Sequence, residues 1–124
     1  MKRDMDLVRK ILMACEEHEH GRAPAGINID GYSDEEIGYH AFLMIEAGLA
    51  RGFDGAGSGD PSPYGCIVSL TWEGHEFLDA SRNDGLWAKA KQAAGSTGGM
   101  VLSVLKSVLI DLATQAAKKA AGLP

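Results

Sequence analysis

The stretch Ser33–Leu49, SDEEIGYHAFLMIEAGL, constrains the fold of this 124-residue chain more than any other. Ser33 and Glu36 have capping-box spacing: the hydroxyl caps the third helical N–H and the carboxylate returns to the cap's own N–H. Asp34 and Glu35 favour the positive end of the helix dipole. Gly48 supplies the left-handed residue that stops the helix. The next segments are equally ordered. Leu49–Phe53 reads as a strand, and Asp54–Tyr64, DGAGSGDPSPY, as a flexible turn by composition. Gly65–Leu70 is the return strand. Thr71 caps a further helix that carries Trp72, Phe77 and Leu78 on one side, and Asn83–Gly85 interrupts or kinks it before Trp87.

On the N-terminal side, Asp4–His20 predicts a helix, because Leu7, Val8, Ile11, Leu12 and Cys15 recur at helical spacing and Asp4 can cap its start. Gly21–Gly31 contains Pro24, Gly26 and Gly31, which break helices. Within it Ile27-Asn28-Ile29 alternates as a short strand would. No helix of useful length fits between His20 and Ser33. Gly95–Gly99, GSTGG, reads as a linker, and Met100–Ala121 as a long amphipathic helix. Leu102, Leu105, Leu109, Leu112 and Ala116 step by three and four, and Val101, Val104 and Val108 widen the stripe. The expected organisation is residues 1–94 as a body, 95–99 as a linker and 100–122 as a C-terminal oligomerisation helix.

The helix–hairpin–helix order resembles winged helix-turn-helix regulators such as the arsenic- and multiple-antibiotic-resistance repressor families. Their pattern of a histidine, a spacer and Glu-Ala-Gly-Leu stands here as His40 and Glu46–Leu49. Their Leu-Thr-x-x-Gly after the hairpin stands as Leu70, Thr71 and Gly74. MKRDMDLVRKIL, GYSDEEIGYH, IEAGL and LTWEGHEFLDASR together resemble, from Met1 to about Lys91, the bacterial and prophage family called domain of unknown function 2513. That resemblance implies an α+β winged-helix domain (helix, strand, helix, two-stranded wing, helix), here with an added C-terminal amphipathic helix, and a bacterial or phage origin. It implies no activity.

Charge separates the function classes. The net charge is −5, yet residues 1–85 carry −9 and residues 86–124 carry +4. An acidic body opposes broad phosphate contact, because duplex binding replaces condensed counterions with a basic surface. The helix that would read DNA has no Lys or Arg between Ser33 and Ala50, but has Asp34, Glu35, Glu36 and Glu46. Major-groove reading needs donors for guanine or amides for adenine. Lys2, Arg3, Tyr39, His40 and Arg51 are the candidate DNA contacts. Phe42 and Ile45 make the same helix apolar on a second side, which implies cover on two sides.

The C-terminal helix, roughly 33 Å long at 1.5 Å per residue, needs a partner surface for its stripe. The candidate oligomer interface is Val101, Leu102, Leu105, Val108, Leu109, Leu112 and Ala116, with folding back in cis as the alternative. A membrane span is disfavoured by Lys106 and Asp111, at roughly 2.5–3.5 kcal/mol each near a bilayer centre. Cys15, His18 and His20 do not share one helix face as a metal site requires, and no metal or other cofactor is expected. Cys15 and Cys66 read as free thiols of a reducing cytoplasm, and the charges through MKRDMDLVRK argue against a signal peptide. No nucleophile motif, phosphate-cradling loop or H-E-x-x-H appears. Trp72 and Trp87 are expected as core anchors. The resulting expectation is a non-enzymatic interaction or regulatory module of the bacterial cytoplasm (the host's, if phage-encoded), a homodimer or higher homo-oligomer with a further protein partner. The alternative is a dimeric DNA-binding transcriptional regulator.

Overall fold

The structure, a computed structural model, describes residues 1–96 and 98–124. Among these, five helices and one two-stranded antiparallel sheet follow in the order α1 (Met5–Glu16), α2 (Asp34–Glu46), β1 (Ala50–Asp54), β2 (Gly65–Leu70), α3 (Trp72–Ser81), α4 (Asp84–Gly95) and α5 (Leu102–Ala120). This mixed α+β arrangement is compatible with a winged-helix-like fold. The chain forms two compact units, Met1–Leu78 and Asp79–Pro124.

In the first unit, the Asp4 carboxylate caps α1 by accepting from the N–H groups of Asp6 at 2.9 Å and Leu7 at 3.2 Å. Leu7, Val8, Ile11, Leu12 and Cys15 are buried along one face. The helix stops at Glu16, short of the expected His20. Every residue from Glu16 to Arg22 is exposed, so no burial offsets the entropy of continuing the helix there.

The strand expected at Ile27–Ile29 does not form. The segment instead meets β2 at one point, where Ala23 N–H donates to Val68 O at 2.9 Å. That contact lies ahead of the alternating residues, and Gly21 and Gly26 on either side of it weaken an extended strand.

Both arms of the capping box are made at α2: Glu36 N–H to Ser33 Oγ at 3.1 Å, and Ser33 N–H to Glu36 Oε1 at 2.9 Å. The helix ends in a Schellman motif. Gly48 has φ 79, and Leu49 N–H reaches Met44 O at 2.9 Å. Leu49 and Met44 are both buried, as the apolar contact of that motif requires. β1 then pairs with β2 from Ala50↔Leu70 to Asp54↔Gly65, with an irregularity between Arg51 and Gly52. A Cβ at Gly65 would fall on backbone atoms of Ala41 and Phe42, so glycine lets the start of β2 lie directly on α2. Thr71 caps α3, its Oγ accepting from Gly74 N–H at 3.0 Å.

Phe77 and Leu78 on α3 are buried, but Trp72 is 76% exposed, with its indole N–H on Glu76 at 3.0 Å. Five residues separate Trp72 from Phe77, which places them about 140° apart around a helix with 3.6 residues per turn. The expectation that both tryptophans are core anchors therefore holds for Trp87, 3% exposed, and fails for Trp72.

In the second unit, Asn83 begins a new helix and does not merely kink α3: its Oδ1 accepts from Leu86 N–H at 3.0 Å. α4 packs against α5. Trp87, Ala90 and Ala94 are buried on α4, and Leu105 and Leu109 on α5. The boundary between units thus falls at Leu78/Asp79, within α3, whereas the sequence suggests a division at residues 94–95. Of the expected linker Gly95–Gly99, Gly95 ends α4 and Thr97 lies outside the described residues.

Candidate functional site

The N-terminal turn of α2 and the β1–β2 tip form one surface. The tip is flexible by composition, yet its polar groups are engaged. Asp54 Oδ1 accepts from the N–H groups of Ala56 at 2.9 Å and Tyr64 at 3.0 Å. These two donors, Tyr64 first, hold the Asp54 carboxyl below its usual range. The tip is also tied back onto α2. Ser62 Oγ donates to Glu35 Oε1 at 2.6 Å, and Tyr64 O–H donates to Asp34 Oδ1 at 2.9 Å. The Tyr64 ring lies where a Cβ on Gly38 would stand, so the ring spans the first turn of α2. Burial first, and then the bond to Asp34, push the Tyr64 phenol above its usual value. Between Asp34, Glu35 and Asp60–Tyr64 lies a cleft of about 260 Å³.

Tyr64 also borders an apolar groove of about 220 Å³. Its walls include Ile27, Ile37, Ala41, Phe53 and Val68. Phe53 is 59% exposed and Val68 46%. The groove draws on the loop after α1, on α2 and on both strands. No local pattern signals it, although apolar Phe53 and Val68 within otherwise mixed strands are the trace it leaves in the sequence.

The candidate DNA contacts divide into three situations. Lys2 and Arg3 are exposed ahead of α1. Arg51 is exposed, but its guanidinium donates to Leu70 O at 3.0 Å and lies 3.5 Å from Ser69 Oγ, bracing the hairpin. Tyr39 is half-buried and stacks on Phe42 with ring centroids 6.5 Å apart. His40 is turned inward, 1% exposed. Its Nε2 accepts Asp4 N–H at 2.9 Å and its Nδ1 pairs with Glu36 O at 2.8 Å, which puts the ring proton on Nδ1. His40 therefore joins α1 to α2 and presents nothing to a base. The chain beside it runs through Asp4, whose second oxygen accepts from Tyr32 O–H at 3.0 Å.

The candidate oligomer residues also divide. Leu105 and Leu109 are buried within the second unit, where α4 covers α5. Leu102, Val108 and Leu112 are set around them, all three half-buried. Val101 is 48% exposed, its neighbour Val104 39%, and Ala116 is exposed. α4 therefore covers the centre of the apolar stripe and leaves Val101 and Val104, at its N-terminal end, open.

His18 and His20 sit 6.2 Å apart at an exposed turn, and Cys15 is buried. Burial pushes the Cys15 thiol up to about 11, which disfavours the thiolate a metal would need. Among the described residues no three His, Cys, Asp or Glu side chains converge to hold a metal ion, and no helix is long and apolar enough to cross a membrane.

Fold and surface thus define a small α+β protein with an acidic, hairpin-capped helix and a partly covered amphipathic helix. Residues 2–100 match the family described as "Hypothetical protein (DUF2513)", and the chain belongs to it. It is also 34% identical to an "Uncharacterized protein" of Haemophilus influenzae over 124 residues, covering 98% of this chain and 92% of that one. No solved structure matches the chain at a significant level.

Proposed function

We propose that the protein is a non-enzymatic winged-helix interaction module with a regulatory role, working in the bacterial cytoplasm and self-associating through α5. The observation that carries this reading is the pair of exposed valines, Val101 and Val104, at the start of α5. Val101 at 48% and Val104 at 39% exposure stand beside a stripe whose centre, Leu105 and Leu109, is already buried. An apolar face wider than its intramolecular cover gains roughly 25 cal/mol per Å² when a second surface completes it. The winged-helix reading also assigns α2 the place of a DNA-reading helix. Its first turn is Asp34, Glu35 and Glu36, two of them bonded to the hairpin tip, and His40 is internal. These features favour a protein partner over a duplex.

Sedimentation equilibrium tests the reading. The full chain is expected to self-associate in the micromolar range, and Val104→Asp to shift it toward monomer without loss of helix. A wild-type chain that stays monomeric, or a Val104→Asp variant that associates unchanged, overturns it. The competing reading, a dimeric DNA-binding regulator, draws on exposed Lys2 and Arg3. It requires sequence-selective duplex binding with a steep salt dependence.

A further inference from the structure

α5 ends in the same motif as α2, but one partner is missing. Gly122 has φ 72, Gly122 N–H bonds to Lys119 O at 3.1 Å, and Leu123 N–H bonds to Lys118 O at 2.8 Å. The residue after the glycine in such a motif packs on the side chain at the far end of its bond or on the one before it. At α2 those residues are Leu49 and Met44, both buried. At α5 the far end is Lys118, preceded by Ala117, and Leu123 is left 59% exposed. The outcome is an exposed apolar side chain on a backbone turn fixed by two hydrogen bonds, with two exposed cations, Lys118 and Lys119, on the preceding turn.

The first unit carries the complement of that knob. Its apolar groove is bordered by exposed Phe53 and Val68 and adjoins, through Tyr64, the cleft that holds Asp34, Glu35 and Asp60. The charges divide in the same way. Met1–Leu78 contains 6 Lys/Arg and 14 Asp/Glu, a formal charge of −8. Asp79–Pro124 contains 6 Lys/Arg and 3 Asp/Glu, a formal charge of +3. An apolar anchor with adjacent cations fits an apolar floor with an adjacent acidic rim.

We propose that Leu123 of one copy seats in the groove of a second copy, with Lys118 and Lys119 against Asp34 and Glu35, and that the contact is reciprocated across a two-fold axis. Reciprocity closes the assembly at a dimer, where a one-way contact would propagate. Because two backbone hydrogen bonds already fix the turn at Gly122 and Leu123, docking costs little backbone entropy. The proposal rests on self-association through α5 and adds the site that receives the helix end.

Sedimentation equilibrium on full-length variants tests it. Leu123→Asp is expected to lower the association constant by about tenfold or more, since a buried leucine is replaced by a charge. Glu35→Lys and Lys118→Glu are each expected to weaken association alone, and more at low than at moderate salt. Mixing those two variants is expected to restore wild-type association. In the mixed dimer one contact is native, and in the other the introduced lysine faces the introduced glutamate. Lys118 and Leu123 are exposed, so their variants should keep helix content; Glu35→Lys gives up the bond from Ser62, and recovery on mixing separates that loss from the loss of the contact. A Leu123→Asp chain that associates like wild type overturns this inference, and the α5 reading survives it if Val104→Asp still dissociates. Weakened single variants that fail to recover on mixing place the knob on its own chain or on another partner, and overturn it as well. A monomeric wild type overturns both.

Discussion

Replacing His40 by alanine asks whether this side chain fastens two helices or reads a base. The ring is 1% exposed and uses both nitrogens inside the protein. Without it, the N–H of Asp4 loses its acceptor. An orphaned buried donor costs about 1–3 kcal/mol, and because this one is only part-buried, water limits the loss to the lower half of that range. Glu36 O keeps its helical partner and contributes little. The ring also leaves a void between α1 and α2. Truncating buried large side chains to alanine costs about 2–5 kcal/mol, and imidazole, smaller and less apolar than those side chains, belongs at or below the bottom of that range. The sum is about 2–4 kcal/mol. Urea unfolding followed by helical circular dichroism measures it. His40→Gln, which keeps an acceptor on a longer stem, should recover about half of the loss. Hydrogen exchange should show the Asp6 and Leu7 amides, both held by the Asp4 carboxylate, losing protection together. A loss under about 1 kcal/mol would refute this reasoning, since it would fall below even a single unmade hydrogen bond.

Gly65→Ala should destabilise by about 1–3 kcal/mol, because the new methyl meets the backbone of Ala41 and Phe42 and no flexible side chain can yield. The same unfolding experiment reads it, and a neutral Gly65→Ala would mean that α2 and β2 slide apart freely. Thermal stability should fall at both pH extremes. The Tyr64 and Tyr32 phenols have raised values when folded, by burial first and by Asp34 and Asp4 next, so their contribution is complete below the ordinary phenol value of 10.0 and is lost as pH rises through the folded values. Asp54 is lowered when folded, so its contribution is present above the ordinary carboxylate range and is lost as pH falls through the folded value. Tyr64→Phe should flatten the alkaline limb and Asp54→Asn the acid limb in melting temperature against pH; an unchanged alkaline limb would sever the tip from α2, and an unchanged acid limb would undo the Asp54 turn within the tip.

The parts of the fold that are legible in the sequence are those whose cause is local. Ser33 and Glu36 satisfy each other three residues apart, Gly48 stops its own helix, and Thr71 caps the next turn. The features that are not legible depend on distant partners. Ile27–Ile29 alternates like a strand, but a strand exists only if an edge accepts it, and this loop bonds to β2 at Ala23, ahead of the alternating stretch. Trp72 groups with Phe77 by adjacency alone, and helical geometry turns it outward. The placement of α4 is readable in part. Trp87, Ala90 and Ala94 follow three-and-four spacing, which is the face α5 needs, but GSTGG suggests a domain boundary there. The groove joins residues from Ala23 to Val68 and has no sequence-local signature at all.

The unit boundary changes what the charge asymmetry means. The change of sign falls close to the division at Leu78/Asp79, so the acidic and basic sets belong to different compact units, and the Asp79–Arg82 ion pair is internal to the second. A duplex would therefore be drawn to the unit that carries α5, not to the unit whose helix resembles a DNA reader. The lysines of that unit include Lys118 and Lys119, which flank the Leu123 knob proposed to dock on a second copy. Phosphate contact and self-association would then compete for the same cations, and polyanion binding should dissolve the dimer. In a dimeric repressor dimerisation and DNA binding reinforce each other, because two half-sites are read at once. If Leu123 docks as proposed, an arrangement that sets them in opposition is poorly suited to that role, so a polyanion titration of the associated protein separates the two readings.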